Sequence, residues 1–306
     1  MQASLKKFLV PLLATGSLVG ATVAQAGPMA GFDPGGTGVY GYYFDLASDL
    51  TDTAVAVGYT PGVTVPPGAY NTSIHGQIRI GTLQQLGTPL IIPGMNDPSL
   101  TYGFELTKTY AFAETVVQQG QYTDAIGRKH ESASFVTPNQ SGGTPEITWY
   151  YDNISDGSQA NPNVVKCYGA GPCAHPDGIA IMTADVIGGS TSFDFILTGT
   201  GTGTGTGSFD EVFKITSVNA SYLDLVTGQL IGFKVTGTTN IPPYFNPSAM
   251  WDGTSTTATG NIALKVDSSE SFTVPEPGSL ALMGLGLVAI AAMALGGRRR
   301  QWNLPA

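Results

Sequence analysis

The side chains best suited to chemistry in this chain are three histidines and two cysteines. His75, His130 and His175 are isolated, and none lies at the spacing of a metalloprotease or phosphodiesterase motif. No Gly-x-Ser-x-Gly sequence marks a nucleophilic serine. Carboxylates could form a glycosidase pair, but that depends on their separation in space. We therefore expect a protein that is not an enzyme and that needs no cofactor, unless it binds calcium.

Cys167 and Cys173 are separated by only five residues, and a turn between them is plausible because these include glycines and a proline. In an oxidising compartment a local disulfide is the expected state. A loop this small contributes about 2 kcal/mol of stability or less. Free thiols and a metal site with His175 and Asp177 are the alternatives, although this spacing does not match the usual zinc patterns.

The sequence DNISDG, which begins at Asp152, partly resembles a calcium-binding loop. Asp152 and Asp156 fit the first and fifth ligand positions. Ile154 breaks the third position, and Asn163 stands where a bidentate glutamate is required. The sequence therefore fails as an EF-hand, which leaves a plain turn or a calcium site of another kind on Asp152 and Asp156.

Aromatic residues are the candidates for contact with a glycan. Trp149, Tyr150 and Tyr151 are consecutive, so in a strand their rings fall on both faces and at least one points away from the core. Trp251 lies in a segment, 241–261, that is expected to be a loop. Exposed flat rings suit stacking on sugars. Ordinary packing in the core and at its rim is the alternative.

The elements that must carry these residues are predicted to be β-strands, because apolar residues alternate between turn signals. Ile74, Ile78 and Ile80 share one face of such a strand. Segment 102–121 fits either a short helix or a long strand, and we find no convincing amphipathic helix between residues 27 and 273. The sequence thus predicts an all-β domain with a β-sandwich or jelly-roll-like architecture.

Three glycine-containing segments are expected to connect strands. Gly188-Gly189 is a candidate hairpin turn, and Thr227-Gly228 is a candidate turn. Residues 198–207 consist of five Thr-Gly units. No lysine or helix follows this run, so it does not fit a phosphate-binding loop. We expect an extended, flexible loop between strands.

Composition excludes several classes of partner for residues 27–273. Five of the 13 basic residues and one of the 22 acidic residues lie outside this range, so it carries 8 basic and 21 acidic side chains, a net charge of −13. Nucleic acids and other anionic phosphate polymers are bound through lysine and arginine, so this surface disfavours them. Neutral polysaccharide, or an anionic polymer bridged by divalent cations, is compatible with it.

Both ends of the chain have the character of export signals. Residues 1–26 combine two lysines, an apolar stretch and a small-residue cleavage site formed by Ala24 and Ala26, which predicts a signal peptide and Gly27 as the new N-terminus. Residues 278–297 are uncharged and long enough, at about 1.5 Å per residue, to cross a bilayer as a helix. Arg298, Arg299 and Arg300 then favour a cytoplasmic tail, residues 301–306.

Val274, Pro275, Glu276 and Pro277 precede the apolar segment, and the arginine cluster follows it. With its three parts in this order, segment 274–300 resembles the PEP-CTERM sorting signal of Gram-negative bacteria. It implies processing by exosortase, a membrane cysteine transpeptidase, near the Pro-Glu-Pro sequence. The protein would be anchored transiently in the inner membrane and then released or transferred to the cell surface. Proteins with this signal tend to accompany exopolysaccharide production.

Three further segments form a pattern of their own: GFDPGGTGVYG (31–41), EITWYYDNISDGSQANPNVV (146–165) and DGIAIMTADVIGGSTSF (177–193). With these segments, most of residues 27–273 resembles the flocculation-associated PEP-CTERM protein. The segment with the two cysteines and the long Thr-Gly run depart from that pattern. The resemblance implies a role in cell aggregation within exopolysaccharide flocs.

We therefore expect an exported, non-enzymatic protein of the cell surface or extracellular matrix. Weak contacts between many copies and a matrix polysaccharide would together give firm attachment. A secreted hydrolase acting on matrix polysaccharide is the alternative, and it requires a concave site with converging titratable groups. A surface-layer or appendage subunit is a third interpretation, which predicts self-association through sheet edges.

Overall fold

The computed structural model describes residues 29–49, 52–64, 66, 71–97, 103–153, 178–199, 202–239, 250–258 and 260–272. The predicted signal peptide, both cysteines, Asp156 and the sorting segment 274–300 lie outside these residues. Within the described ranges, no helix has the length and apolar character needed to cross a bilayer.

The regular structure of the described residues is entirely β, which confirms the predicted all-β class. The strands are β1 Ala30–Phe32, β2 Tyr42–Phe44, β3 Leu46–Asp49, β4 Asp52–Val57, β5 Asn71–Gln85, β6 Thr88–Pro89, β7 Phe104–Thr123, β8 Lys129–Thr137, β9 Ile147–Asn153, β10 Ile179–Gly199, β11 Thr202–Val218, β12 Leu223–Asp224, β13 Leu230–Thr238 and β14 Asn261–Ser271.

The main sheet closes on itself. Following the pairings from β4 leads through β5, β7, β8 with β9, β10, β11, β13 and β14, and β14 pairs with β4 again. Each of these pairings is antiparallel, and the strands follow the order of the chain except at the closing pair of β14 with β4. β8 and β9 occupy a single position between β7 and β10, and β3 extends β4 in the same way. Closure pairs the edges that an open sheet would expose.

The interior of the closed sheet is filled by aromatic side chains that reach across it. Tyr110 on β7 lies 5.1 Å, between ring centroids, from Phe233 on β13, four positions away around the ring. Phe112 similarly contacts Phe209 and Phe213 on β11. Opposite walls therefore pack directly against each other, as in a small closed sheet whose interior is filled by side chains.

A small sheet of β12, β1 and β2 packs against one end of this core. Phe32 on β1 lies 5.7 Å from Phe104 at the start of β7, between ring centroids. The loop after β1 is organised by Asp33, whose carboxylate accepts hydrogen bonds from the backbone N–H groups of Gly35, Thr37 and Val39. This explains the FDPGGTG sequence as a structural turn, since aspartate readily accepts hydrogen bonds from the backbone that follows it.

The local predictions had mixed outcomes. Residues 104–121 of the segment 102–121 lie in a strand, β7, along which Leu106, Tyr110, Phe112 and Val116 are buried. Thr227-Gly228 forms the predicted turn, with Gly228 at a φ of 92°. The hairpin turn predicted at Gly188-Gly189 is wrong, because β10 continues through it with a bulge between Val186 and Gly188.

The prediction that the Thr-Gly run is a flexible loop is also wrong, because residues 202–207 form the start of β11. Gly205 and Gly207 pair with Phe195 and Phe193 on β10. A Cβ atom on Gly207 would lie 2.2 Å from the Phe193 ring. The glycines thus make room for the phenylalanine rings, and the alternating threonines fall on the other face of the sheet.

Candidate functional site

The outer wall of the closed sheet carries a polar groove with a volume of about 470 Å³. It crosses β10, β11, β13 and β14 near the end of β10 and the start of β11. Its lining residues are Asp194, Ile196, Thr204, Gly205, Thr206, Thr238 and Lys265. Three of these seven residues are threonines, and one negative and one positive side chain, Asp194 and Lys265, also line the groove.

The register of the strands places the groove residues in a transverse row. Ser132, Asp194, Thr206, Thr238 and Lys265 are successive cross-strand partners on five neighbouring strands. At about 4.8 Å between strands, the row is about 19 Å long. Such a row offers hydrogen-bonding groups at regular steps to an extended polar chain.

A second row runs parallel to the first. Ser134, Ser192, Ser208, Thr236 and Asp267 are successive cross-strand partners two residues further along each strand. The hydroxyl oxygens of Ser192 and Ser208 are 3.2 Å apart. Together the rows form a wide face on which hydroxyls outnumber charges.

An aromatic side chain lies at the end of the first row, beside Asp194. The Tyr122 hydroxyl donates a hydrogen bond of 2.8 Å to Asp194 Oδ2, and its ring stacks on His130 at 4.8 Å between centroids. Tyr122 is 48% exposed, so part of its ring is open to solvent. A ring held in place beside hydroxyls and a carboxylate is the combination that suits a sugar.

His130 is held between two carboxylates. Its Nδ1 lies 2.9 Å from Asp194 Oδ1, and its Nε2 lies 3.1 Å from Asp124 Oδ2. The hydrogen bond with Asp194 raises the pKa of His130, burial lowers it, and Asp124 raises it again, for a net increase. Asp194 is therefore fixed by both His130 and Tyr122 at the edge of the groove.

The structure distributes the aromatic candidates differently from the prediction. Trp149 is fully buried between Phe44 and Phe272, so its ring is not open to a glycan, and the structure corrects this prediction. Tyr151 is partly buried, and its hydroxyl donates to the Pro34 carbonyl oxygen. Both side chains lie on the same face of β9, and this face packs against the core and the small sheet.

Tyr150 and Trp251 are each partly exposed. Tyr150 alternates with Trp149 and so lies on the outer face of β9. Trp251 belongs to a turn on the outer wall, where its backbone N–H donates to Gln77 Oε1. Neither residue lines the groove, and glycan contact by either remains a prediction.

The calcium and cysteine predictions concern residues that are mostly outside the described ranges. Asp152 is 7% exposed at the end of β9, whereas Asp156, Cys167 and Cys173 are not described. In the described part of the chain, no group of three or more histidine, cysteine, aspartate or glutamate side chains is arranged to hold a metal ion.

Charged side chains also occur inside the closed sheet. Lys108 is fully buried and forms ion pairs with Asp49 and Glu270, which are buried as well. Burial raises the pKa of both carboxyls, and the nearby lysine only partly opposes this. One ammonium thus lies between two acids in the core.

Glu114 and Glu211 form a second buried group, joined through Thr191. Burial raises the pKa of Glu114 to about 8 and that of Glu211 to about 7. The cavity beside Glu114 has a volume of only about 10 Å³, room for about one water molecule. This cavity is too small for a substrate, so we place the candidate functional site on the outer wall.

Comparison with protein-family models, with curated proteins and with solved structures finds no match for this chain. Sequence reasoning did not identify the groove or Tyr122. A hairpin could have identified Tyr122. The turn at residues 124–128 joins β7 to β8 and makes Tyr122 and His130 cross-strand partners.

Proposed function

We propose that this chain is an exported protein of the cell surface or extracellular matrix that holds cells together by binding matrix polysaccharide. The observation that carries the proposal is the groove on the outer wall, with its two rows of hydroxyls and the exposed Tyr122 ring. A neutral polymer rich in hydroxyls can lie along such a surface without displacing strongly hydrated charges.

Sequence features at both ends support the location. The signal peptide and the Pro-Glu-Pro segment with its apolar stretch and arginines match a protein that is exported and then sorted by exosortase. The low content of charged residues, 11%, is typical of secreted matrix proteins. Many copies at a surface would add their weak contacts.

The finer architecture belongs to the same proposal. A closed sheet with opposite walls in direct contact is a flattened, sandwich-like body. The 5.1 Å separation of Tyr110 and Phe233 supports this interpretation. Such a body presents one wide outer wall, which is the shape needed for contact with a polymer.

A binding assay tests the surface. Full-length protein is incubated with purified exopolysaccharide of the source bacterium, and the bound fraction is measured after sedimentation. Replacing Tyr122 with alanine should reduce binding about fivefold, since stacking is worth about 1 kcal/mol. Tyr43, which is 43% exposed on β2 away from the groove, is the matched control. Equal binding by the Y122A and Y43A variants would place the contact elsewhere.

A settling assay tests the role in the cell. Cultures that lack the gene are complemented with the full-length chain or with a version that ends at Thr273. Loss of settling that only the full-length chain restores supports a surface protein that acts through its sorting segment. Unchanged settling in the deletion strain contradicts the adhesive role.

A further inference from the structure

A serine, a histidine and an aspartate lie in line on the outer wall, away from the groove. Ser73 and His75 alternate along β5 and therefore share its outer face. Ser73 Oγ lies 2.8 Å from His75 Nε2, and His75 Nδ1 lies 2.6 Å from Asp252 Oδ2. The hydroxyl contacts one ring nitrogen and the carboxylate the other, which is the order found in serine hydrolases.

The aspartate of this line is well positioned to orient the histidine. Burial alone raises the pKa of Asp252, but hydrogen bonds with His75 and Thr254 bring it down to about 2. The carboxylate is therefore ionised at neutral pH. It accepts a hydrogen bond from the Nδ1–H of His75, which leaves Nε2 free to accept the proton of Ser73.

The scaffold around the line is rigid. His75 lies between Val55 on β4 and Ala111 on β7, its partners on either side in the sheet. Asp252 belongs to a turn in which the Gly253 N–H donates to the Met250 carbonyl oxygen, and the Trp251 N–H attaches this turn to Gln77 on β5. The three side chains thus come from a strand and from a turn that is hydrogen-bonded to that strand.

The line is also accessible. The His75 and Asp252 side chains are 18% and 22% exposed, and Ser73 is partly exposed. Next to Ser73, β7 carries Ala113, an exposed residue with a small side chain. An ester group that projects from a larger molecule can therefore approach the hydroxyl from solvent.

We propose that Ser73 is a nucleophile toward esters of small carboxylic acids such as acetate. His75 Nε2 removes the proton of Ser73 as Oγ bonds to the carbonyl carbon. The bond to the leaving alcohol then breaks, and His75 returns the proton to the departing oxygen. Water attacks the acyl-serine with His75 again as the base, which releases the acid and restores Ser73. This activity is separate from glycan binding in the groove.

A fluorophosphonate probe tests the nucleophile directly, because serine attack on phosphorus displaces fluoride and leaves a stable covalent adduct. The full-length protein is incubated with the probe, digested and analysed by mass spectrometry. We expect the adduct on Ser73. The S73A variant should not be labelled, and H75Q and D252N should be labelled at least tenfold more slowly.

Hydrolysis of p-nitrophenyl acetate by the same variants gives a second readout. Ser221, an exposed serine in the turn between β11 and β12, provides the control variant S221A, which should keep full activity. No labelling of the unmodified protein, an adduct at another residue, or labelling that does not change in H75Q and D252N would each overturn the proposal. Circular dichroism of each variant shows whether it is folded.

Discussion

Lys108 Nζ lies 2.5 Å from Asp49 Oδ2, and both side chains are fully buried inside the closed sheet. The same nitrogen pairs with Glu270 on β14 and lies 4.8 Å from the centre of the Phe233 ring. The lysine extends from β7, and its partners come from β3 and β14, neither of which pairs with β7. The ion pairs therefore connect strands that share no backbone hydrogen bonds.

Replacing Lys108 with methionine should lower the free energy of unfolding by about 3–5 kcal/mol, because two buried carboxyls lose their cation. Urea unfolding followed by tryptophan fluorescence measures the change. The exposed Lys234 provides the control variant K234M, which should lie within about 0.5 kcal/mol of the unmodified protein. The triple variant D49N/K108M/E270Q should recover part of the loss, and similar stability of K108M and K234M would contradict this account.

Stability should also depend on pH through Glu114 and Glu211. Their pKa values are raised from 4.5 to about 8 and about 7, chiefly by burial. The folded protein therefore holds more protons than the unfolded chain between these values. The contribution is fully present below about pH 4.5 and is lost as the pH rises through 7 and 8.

Between pH 5 and pH 8 we expect this contribution to the free energy of unfolding to fall by about 6 kcal/mol, of which Glu114 supplies the larger part. The double variant E114Q/E211Q should show a smaller fall, because neither amide titrates. D267N, which changes an exposed carboxylate on β14, should keep the pH dependence of the unmodified protein. Urea unfolding at pH 5 and at pH 8 measures this fall for each variant. An equal fall in the double variant and in D267N would refute the role of Glu114 and Glu211.

The Thr-Gly run makes a third prediction, because its glycines are needed for space. Alanine at Gly207 would place Cβ 2.2 Å from the Phe193 ring and 2.8 Å from the Ser192 carbonyl oxygen. We expect G207A to lower the free energy of unfolding by about 1–3 kcal/mol. Gly120 on β7 is the matched control, since its Cβ would approach only Ser132 Oγ, at 3.9 Å. Equal stability of G207A and G120A would show that the Phe193 ring moves aside without cost.

The sequence predicted the all-β class because strand periodicity is local. Ile74, Ile78 and Ile80 are buried as their alternation indicated. The closed order of the strands was not predicted, and residues 198–207 were wrongly predicted to be a flexible loop. Both failures have the same cause, since each feature depends on contacts between strands. Whether a Thr-Gly segment forms a strand depends on aromatic rings that a neighbouring strand supplies, and this information is not contained in the segment itself.

The residues of the candidate sites could not be predicted from the sequence for the same reason. Trp149 and Tyr122 are both aromatic residues in strands, and only the pairing shows that the first faces the core and that the second contacts Asp194 beside the groove. Ser73 and His75 are close in sequence, but Asp252 joins them from a turn 177 residues away. Sites assembled across a sheet depend on register, and an alternating pattern gives only the face on which a residue lies.

The sorting segment makes the last prediction, which depends on the proposed processing by exosortase. Replacing the Pro-Glu-Pro sequence, residues 275–277, with alanines should leave the apolar segment and the arginines intact, so the protein still inserts into the inner membrane. Without the recognition sequence, however, it should stay there uncleaved. Immunoblots of membrane and culture fractions measure this. Alanines at Ser141, Thr144 and Pro145, which are all exposed, provide the control and should not prevent release. Release of both variants at the same rate would contradict sorting through the Pro-Glu-Pro sequence.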